Sequence, residues 1–201
     1  TRQAALIVDI GGGTTDVAFA ELGGDELPRI VRTWGLAKGG TDLDINLSMH
    51  SFMPQLGNNV TRVPVHHFVE AASVHNLPKQ REFRRQDYRM VDEPWQSRLR
   101  ALQQPGATTR LNQTAERSKI TLSAVDGTHA DLGFLEPGLG VSIARADMDE
   151  AVEPFIHRMQ RLLAEVREEW PGVPASVFLT GGTSRSPIVK AAVRDSFPGI
   201  P

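Results

Sequence analysis

Two acids and three glycines carry the most chemistry per residue in this chain. Asp9 lies near the end of one apolar run, Leu6-Ile7-Val8-Asp9-Ile10, and Asp16 begins the next, Asp16-Val17-Ala18-Phe19, with Gly11-Gly12-Gly13-Thr14-Thr15 between them. β-Branched and aromatic residues give both runs strand character, and the glycines read as a tight hairpin connection. Glycine tolerates positive φ and has no Cβ, so consecutive backbone N–H groups can converge on an anion. Asp9 and Asp16 would then face the same charged group. A carboxylate repels a phosphate unless a cation lies between them. The expected third party is therefore Mg²⁺, held by Asp9 and Asp16 directly or through water. Thr14 and Thr15 add hydroxyls at the rim. The same residues, taken alone, also fit a glycine-rich hairpin with two solvated acids.

Two later clusters add to this. Between Thr114 and Ser123, steps of three and four place Glu116, Lys119 and Ser123 near one helix face. Taken alone, the favoured reading there is a surface ion pair worth tenths of a kcal/mol. Further on, the strand pattern Ala175 to Thr180 runs into Gly181-Gly182-Thr183-Ser184-Arg185-Ser186-Pro187 and a helix from about Ile188. Ser186 suits an N-cap and Pro187 the first helical position. Such a corner lets a flat ring or a phosphate approach the backbone, as well as serving an ordinary strand-to-helix loop. Histidines 50, 66, 67 and 75 lack the i,i+4 pair with a carboxylate, so no metal is expected on them.

The elements that must hold these groups are legible in part. Arg29 to Gly35 reads as a third strand, after turn material from Glu21 to Pro28. Gly39-Gly40 punctuates the chain, and Leu43, Ile45, Leu47 and Phe52 follow at helical spacing, with Thr41 or Asp42 as the cap. Residues 53–110 are the hardest to read. Their charge run from Lys79 to Asp87 is expected on an exposed helix face, the other reading being a basic docking patch. Leu111 to Val125 predicts a helix. Gly127 to Leu135 and Gly138 to Ala144 predict strands, and Asp147 to Glu150 a capping box opening a helix that Pro154 should kink or break. Trp170-Pro171-Gly172 should stop that helix.

With 201 residues, net charge −2 and 40% hydrophobic residues, the chain has the composition of one domain or two small lobes. That balance does not point to nucleic acid as a partner. No cysteine is present, which excludes disulfides and thiolate chemistry. No apolar run approaches the ~20 residues of a membrane helix. No membrane is expected as a partner, and the expected compartment is the cytoplasm. The chain starts just before a core strand and stops without a closing element, so it is expected to be part of something longer.

The clusters occur in a fixed order: Asp9-Ile-Gly-Gly-Gly-Thr-Thr-Asp16, then Glu116-Arg-Ser-Lys119, then Leu179-Thr-Gly181-Gly-Thr-Ser-Arg185. That order resembles the second half of the nucleotide-binding domain of the DnaK-type chaperones, the heat shock protein 70 family, within the actin and sugar-kinase ATPase superfamily. Gly39-Gly40-Thr41-Asp42-Leu43-Asp44 is similar to the family's Gly-Gly-x-Asp-Phe-Asp segment. Val141 to Met148 resembles its Thr-Arg-Ala-Arg-Phe segment. The likeness thins over 53–110, as in a divergent, YegD-like member.

The resemblance implies an α/β fold: one lobe of the actin-like (ribonuclease H-like) ATPase architecture, a mixed sheet flanked by helices. Residues 1–40 and 146–201 would form its core, and 41–145 an inserted α+β subdomain closing over nucleotide. It implies ATP or ADP with Mg²⁺ as ligands. Gly11, Gly12, Gly13 and Thr14 would bind the phosphates. Asp9, Asp16 and Thr14 would serve the chemistry, with Asp9 and Asp16 also holding Mg²⁺ through water. Glu116 and Lys119 would meet the ribose and Ser123 the adenine edge. Gly181, Gly182 and Thr183 would line the purine and phosphate path, and Arg185 would pack on adenine. Ile120 stands where the family usually has arginine; it can bury a ring face but supplies no charge or donors. The first phosphate loop and catalytic lysine of the family are absent, so an N-terminal lobe of the same chain is an implied partner, with client proteins or co-chaperones beyond it. A sugar-type kinase lobe and a non-enzymatic actin-like assembly module are the alternatives.

Overall fold

The computed structural model describes residues 2–24, 27–170 and 172–201. Asp25 and Glu26 of the expected turn, and Pro171 of the expected helix stop, lie outside them. The chain divides into two compact units, residues 1–42 with 153–201, and residues 43–152.

The first unit is built on a four-stranded mixed sheet. β1 (Gln3–Ile10) pairs antiparallel with β2 (Thr15–Leu22), β2 antiparallel with β3 (Arg29–Leu36), and β1 parallel with β6 (Ser176–Thr180), giving the order β3-β2-β1-β6. Side chains alternate across a strand, so one face of β1 and β2 collects Leu6, Val8 and Ile10 opposite Phe19, Val17 and Thr15, all buried. Phe19 stacks on Trp170, with ring centroids 4.1 Å apart. The edge strand β3 is largely exposed. After β6, a short 3₁₀ turn (Gly182–Arg185) leads into α7 (Pro187–Ser196), whose Val189, Ala192 and Val193 are buried.

The second unit is mostly helical. After Leu47 one π-helical and one 3₁₀ turn lead to α2 (Val65–Ala72), α3 (Leu77–Arg85), α4 (Trp95–Leu102) and α5 (Ala107–Leu122). The hairpin of β4 (Gly127–Asp131) and β5 (Gly140–Ala144) follows. On α3 the charged residues of the run face solvent, while Gln80 and Phe83 are buried. Gln80 donates to the Glu70 and Ala71 carbonyls at the end of α2 and accepts from Thr108 on α5, which ties three helices at one amide. α5 begins four residues before the expected start because Ala107 and Thr108 are already buried against this core. β4 and β5 are shorter than expected, since residues 132–139 turn between them, with Leu132 and Leu135 buried.

Two helices cross the division between the units, α1 (Gly40–Leu47) and α6 (Arg145–Glu169). Their N-termini correct the expected caps. Asp42 does not cap α1; its carboxylate accepts from the Gly39 amide, three residues back, at 3.0 Å. Asp147 likewise accepts from the Ala144 amide at 2.7 Å. Each acid occupies the third helical position and supplies the return half of a capping box. Pro154 neither ends nor divides α6, which is 25 residues long in all.

Candidate functional site

The β1–β2 register sets Asp9 directly opposite Asp16, both on the exposed face of the hairpin. With Ile7, Ala18, Trp34 and Gly35 they line an open cavity of about 440 Å³. The Thr14 hydroxyl donates to the Asp16 carboxylate at 2.8 Å. Thr15, expected at the rim, is buried, and its hydroxyl donates to the Lys38 carbonyl at 2.9 Å. It sits opposite Ile10 on the core side of the pleat, so period-two alternation places it inward.

The glycine turn differs from expectation in one respect. None of Gly11, Gly12 and Gly13 has positive φ. A Cβ at Gly13 would meet nothing within 4 Å. At Gly11 and Gly12 the nearest atoms would lie at 3.7 and 3.8 Å, ordinary contact distances. Neither backbone conformation nor crowding within the chain therefore calls for glycine at these three positions. The turn is tied down through its carbonyls: that of Gly11 accepts from the Gly40 amide at 2.9 Å and the Thr183 hydroxyl at 3.2 Å, and that of Gly12 accepts from the Thr41 amide at 2.7 Å. Among the described residues, no protein group accepts from the amides of Gly12, Gly13 and Thr14. The turn's carbonyls are thus engaged while these three amides have no protein acceptor among the described residues, a set of donors that an anion could use.

Gly39 and Gly181 are glycines of another kind. A Cβ at Gly39 would lie 2.6 Å from the Gly11 carbonyl oxygen. At Gly181, with φ +86°, it would fall on the Ile10 carbonyl and the Asp9 carboxylate. These two let backbone meet backbone. The Gly181–Thr183 corner thus closes directly on the end of β1 and the turn. Ser184 donates to the Gly181 carbonyl at 2.7 Å; Ser186 occupies the N-cap of α7 but makes no side-chain cap bond. Gly182 has open space around it, and Arg185 is exposed on the 3₁₀ turn.

Asp9, the 11–14 turn, Asp16 and the 181–183 corner therefore adjoin within the first unit. Glu116, Lys119 and Ser123 belong to the second, on α5 and its last turn. Glu116 is exposed there, and Ile120 is 62% exposed. The Ser123 hydroxyl donates to the Lys119 carbonyl at 3.1 Å. The Lys119 ammonium lies 2.7 Å from an Asp44 carboxylate oxygen on α1, with both side chains largely buried. Burial pushes the Asp44 carboxyl up to about 6 against the opposing pull of Lys119. Sequence reasoning placed Gly39 to Asp44 in a family-like segment and offered Thr41 as a cap, but gave none of Gly39, Thr41 and Asp44 a part in the site. The Gly39-Gly40 pair, read as punctuation and as part of that segment, was the available signal for the backbone contact.

Among the described residues no cluster of three or more His, Cys, Asp or Glu is arranged to hold a metal ion, and no helix is long and apolar enough to cross a membrane. Two carboxylates are too few for an all-protein Mg²⁺ cage but suit an ion that keeps its waters and shares a phosphate.

A family model described as Hsp70 protein matches residues 89–199, more than half of the chain. The chain belongs to the Hsp70 family. Its mixed sheet with flanking helices is that of an Hsp70 actin-like ATPase lobe. Relatives named chaperone protein DnaK include those of Cenarchaeum symbiosum, 27% identical over 198 residues, and Nitrosopumilus maritimus, 26% identical over 201. Each comparison covers 94% of this chain, and 24% and 26% of the respective relative. Chaperone protein dnaK3 of Synechocystis is 29% identical over 202 residues, covering 96% of this chain and 21% of the relative. This Hsp70 chain thus spans about a quarter of the length of the curated relatives it matches. The stretch matched by the family model contains the α5 residues and the 181–185 corner; the Asp9–Asp16 hairpin lies before it.

Proposed function

We propose that this chain is the ATP-binding and ATP-hydrolysing lobe of an Hsp70-type chaperone of the cytoplasm. Residues 1–40 and 146–201 act as its core, and 41–145 as the part that closes over nucleotide. The observation that carries this reading is the Gly11–Gly13 turn: three glycines that the chain's own conformation and packing do not require, followed by amides with no protein acceptor among the described residues. A phosphate approaching that surface is the partner for which a missing Cβ matters. The DnaK relatives, named as chaperones, and the family match support the same assignment.

In this reading the amides of Gly12, Gly13 and Thr14 take phosphate oxygens in charge-assisted hydrogen bonds. Asp9 and Asp16 hold Mg²⁺ through its waters or orient the attacking water, with Thr14 steadying Asp16. When bound, Mg²⁺ supplies neutralisation of phosphate charge. Gly181, Gly182 and Thr183 border the path of phosphate and purine. Arg185 lays its guanidinium on the base, worth about 0.5–2 kcal/mol. Glu116 and Lys119 recognise the ribose, and Ser123 the adenine edge. Phosphoryl transfer depends mainly on positioning and electrostatics, and one lobe supplies half of the contacts, so the chain by itself should turn over ATP negligibly. Client proteins and co-chaperones are the partners this assignment implies.

In the full-length protein, Asp9→Asn keeps the shape of the residue and removes the charge. ATP turnover should fall by at least ~100-fold with the melting temperature nearly unchanged. Wild-type turnover in that variant would remove Asp9 from the chemistry.

A further inference from the structure

Lys119 does not stand by itself on α5. Its ammonium is 2.7 Å from Asp44 on α1, and the two side chains are only 15% and 7% exposed. Glu116 lies one helical turn earlier on the same face of α5, and Ser123 ties its hydroxyl to the Lys119 carbonyl. A lysine stem has four rotatable bonds, so a partner at its end decides where the ammonium sits. Asp44 supplies that fixed direction. A buried pair of this kind is a poor stability device, because desolvating both ions offsets their attraction.

We propose that Asp44 is the positioning residue for Lys119, holding its ammonium where Lys119 and Glu116 together read the hydroxyls of a nucleotide's ribose. The inference rests on the nucleotide reading above and extends it to a residue that touches no ligand. Asp44 aims Lys119, and its charge state sets whether the aim is kept. The charged or titratable groups facing Asp44 are Lys119 and Glu116 on α5 and His75 ahead of α3. Because burial raises the Asp44 carboxyl to about 6, ribose recognition by this pair weakens as pH falls through that value.

The test compares Mg·ADP with Mg·2′,3′-dideoxy-ADP, titrated into the full-length protein and its variants between pH 5.5 and 8. Wild type should prefer ADP by roughly tenfold or more, the worth of a charged hydrogen bond. Asp44→Asn should bring the preference close to one while leaving dideoxy-ADP affinity within about threefold, a pattern that loss of fold does not produce. The wild-type preference should shrink below pH 6, and that of Asp44→Asn should stay flat, which separates Asp44 from His75. Asp44→Glu should restore part of the preference. If Asp44→Asn folds poorly, Asp44→Ser, which removes the charge and leaves Lys119 in place, should show the same loss. A preference retained in Asp44→Asn, or a parallel loss of both nucleotides, overturns the inference while leaving the nucleotide site standing. Failure of wild type to bind either nucleotide removes the site and the inference together.

Discussion

Gly13 and Gly39 are the same residue type used for opposite reasons. At 39 the Gly11 carbonyl leaves no room for a Cβ, so the chain itself demands glycine; at 13 the space is open. A sequence shows both as glycine, and only coordinates sort them. Asp44 shows the same limit. Its place in Gly-Gly-Thr-Asp-Leu-Asp is visible in the sequence, but its burial beside Lys119 depends on two helices 75 positions apart. That burial has a consequence for stability. A carboxyl lifted from 3.8 to about 6 in the folded chain contributes stability below about pH 4 and loses it as pH rises through 6. The loss is on the order of 3 kcal/mol. Denaturant unfolding at pH 4.5 and 7 should therefore show wild type losing stability relative to Asp44→Asn as pH rises. Wild type keeping level with Asp44→Asn, or gaining on it, as pH rises would mean that burial does not raise Asp44 in the folded chain.

At the scale of elements, the glycine hairpin and the strand-to-helix corner after Thr180 were legible because period-two alternation and glycine punctuation are local signals. Thr15 was misplaced by reading its hydroxyl rather than its parity: counting back by twos from Phe19 and Val17 puts it on the core face. The helix starts shifted for a related reason. Asp42 and Asp147 announce an N-terminus, but as acids of the third helical position rather than as caps. Residues 53–110 were opaque because their helices are short and are joined through single buried polar groups such as Gln80, which no hydrophobic period reveals. Pro154 was expected to kink or break α6, yet the helix continues past it, with Phe155, Ile156 and Met159 buried just beyond. Packing of that face outweighs one missing amide. Pro154→Ala restores the donor, and Pro154 is exposed, so the unfolding midpoint should rise by the equivalent of about 1–3 kcal/mol. An unchanged or lower midpoint would mean that the helix has adapted its geometry to the proline.

For the molecule as a whole, the family was legible from the order of three short clusters, although identity to the DnaK relatives is below 30%. The reason is physical. Close approach to a phosphate constrains a few backbone positions tightly, while most core positions accept any apolar residue of about the right volume. The reading of the glycine turn as a phosphate cradle carries everything else, and Gly13 allows it to be tested cleanly. Gly13→Asp adds a side chain where nothing within 4 Å opposes it, at a φ that any residue can adopt, but it places a carboxylate on the donor surface. Calorimetric titration of Mg·ADP into the full-length protein should give one saturable site per chain in wild type and at least a hundredfold weaker binding in Gly13→Asp, with the two proteins melting within a few degrees of each other. Equal affinity in the two would show that no phosphate rests on this turn.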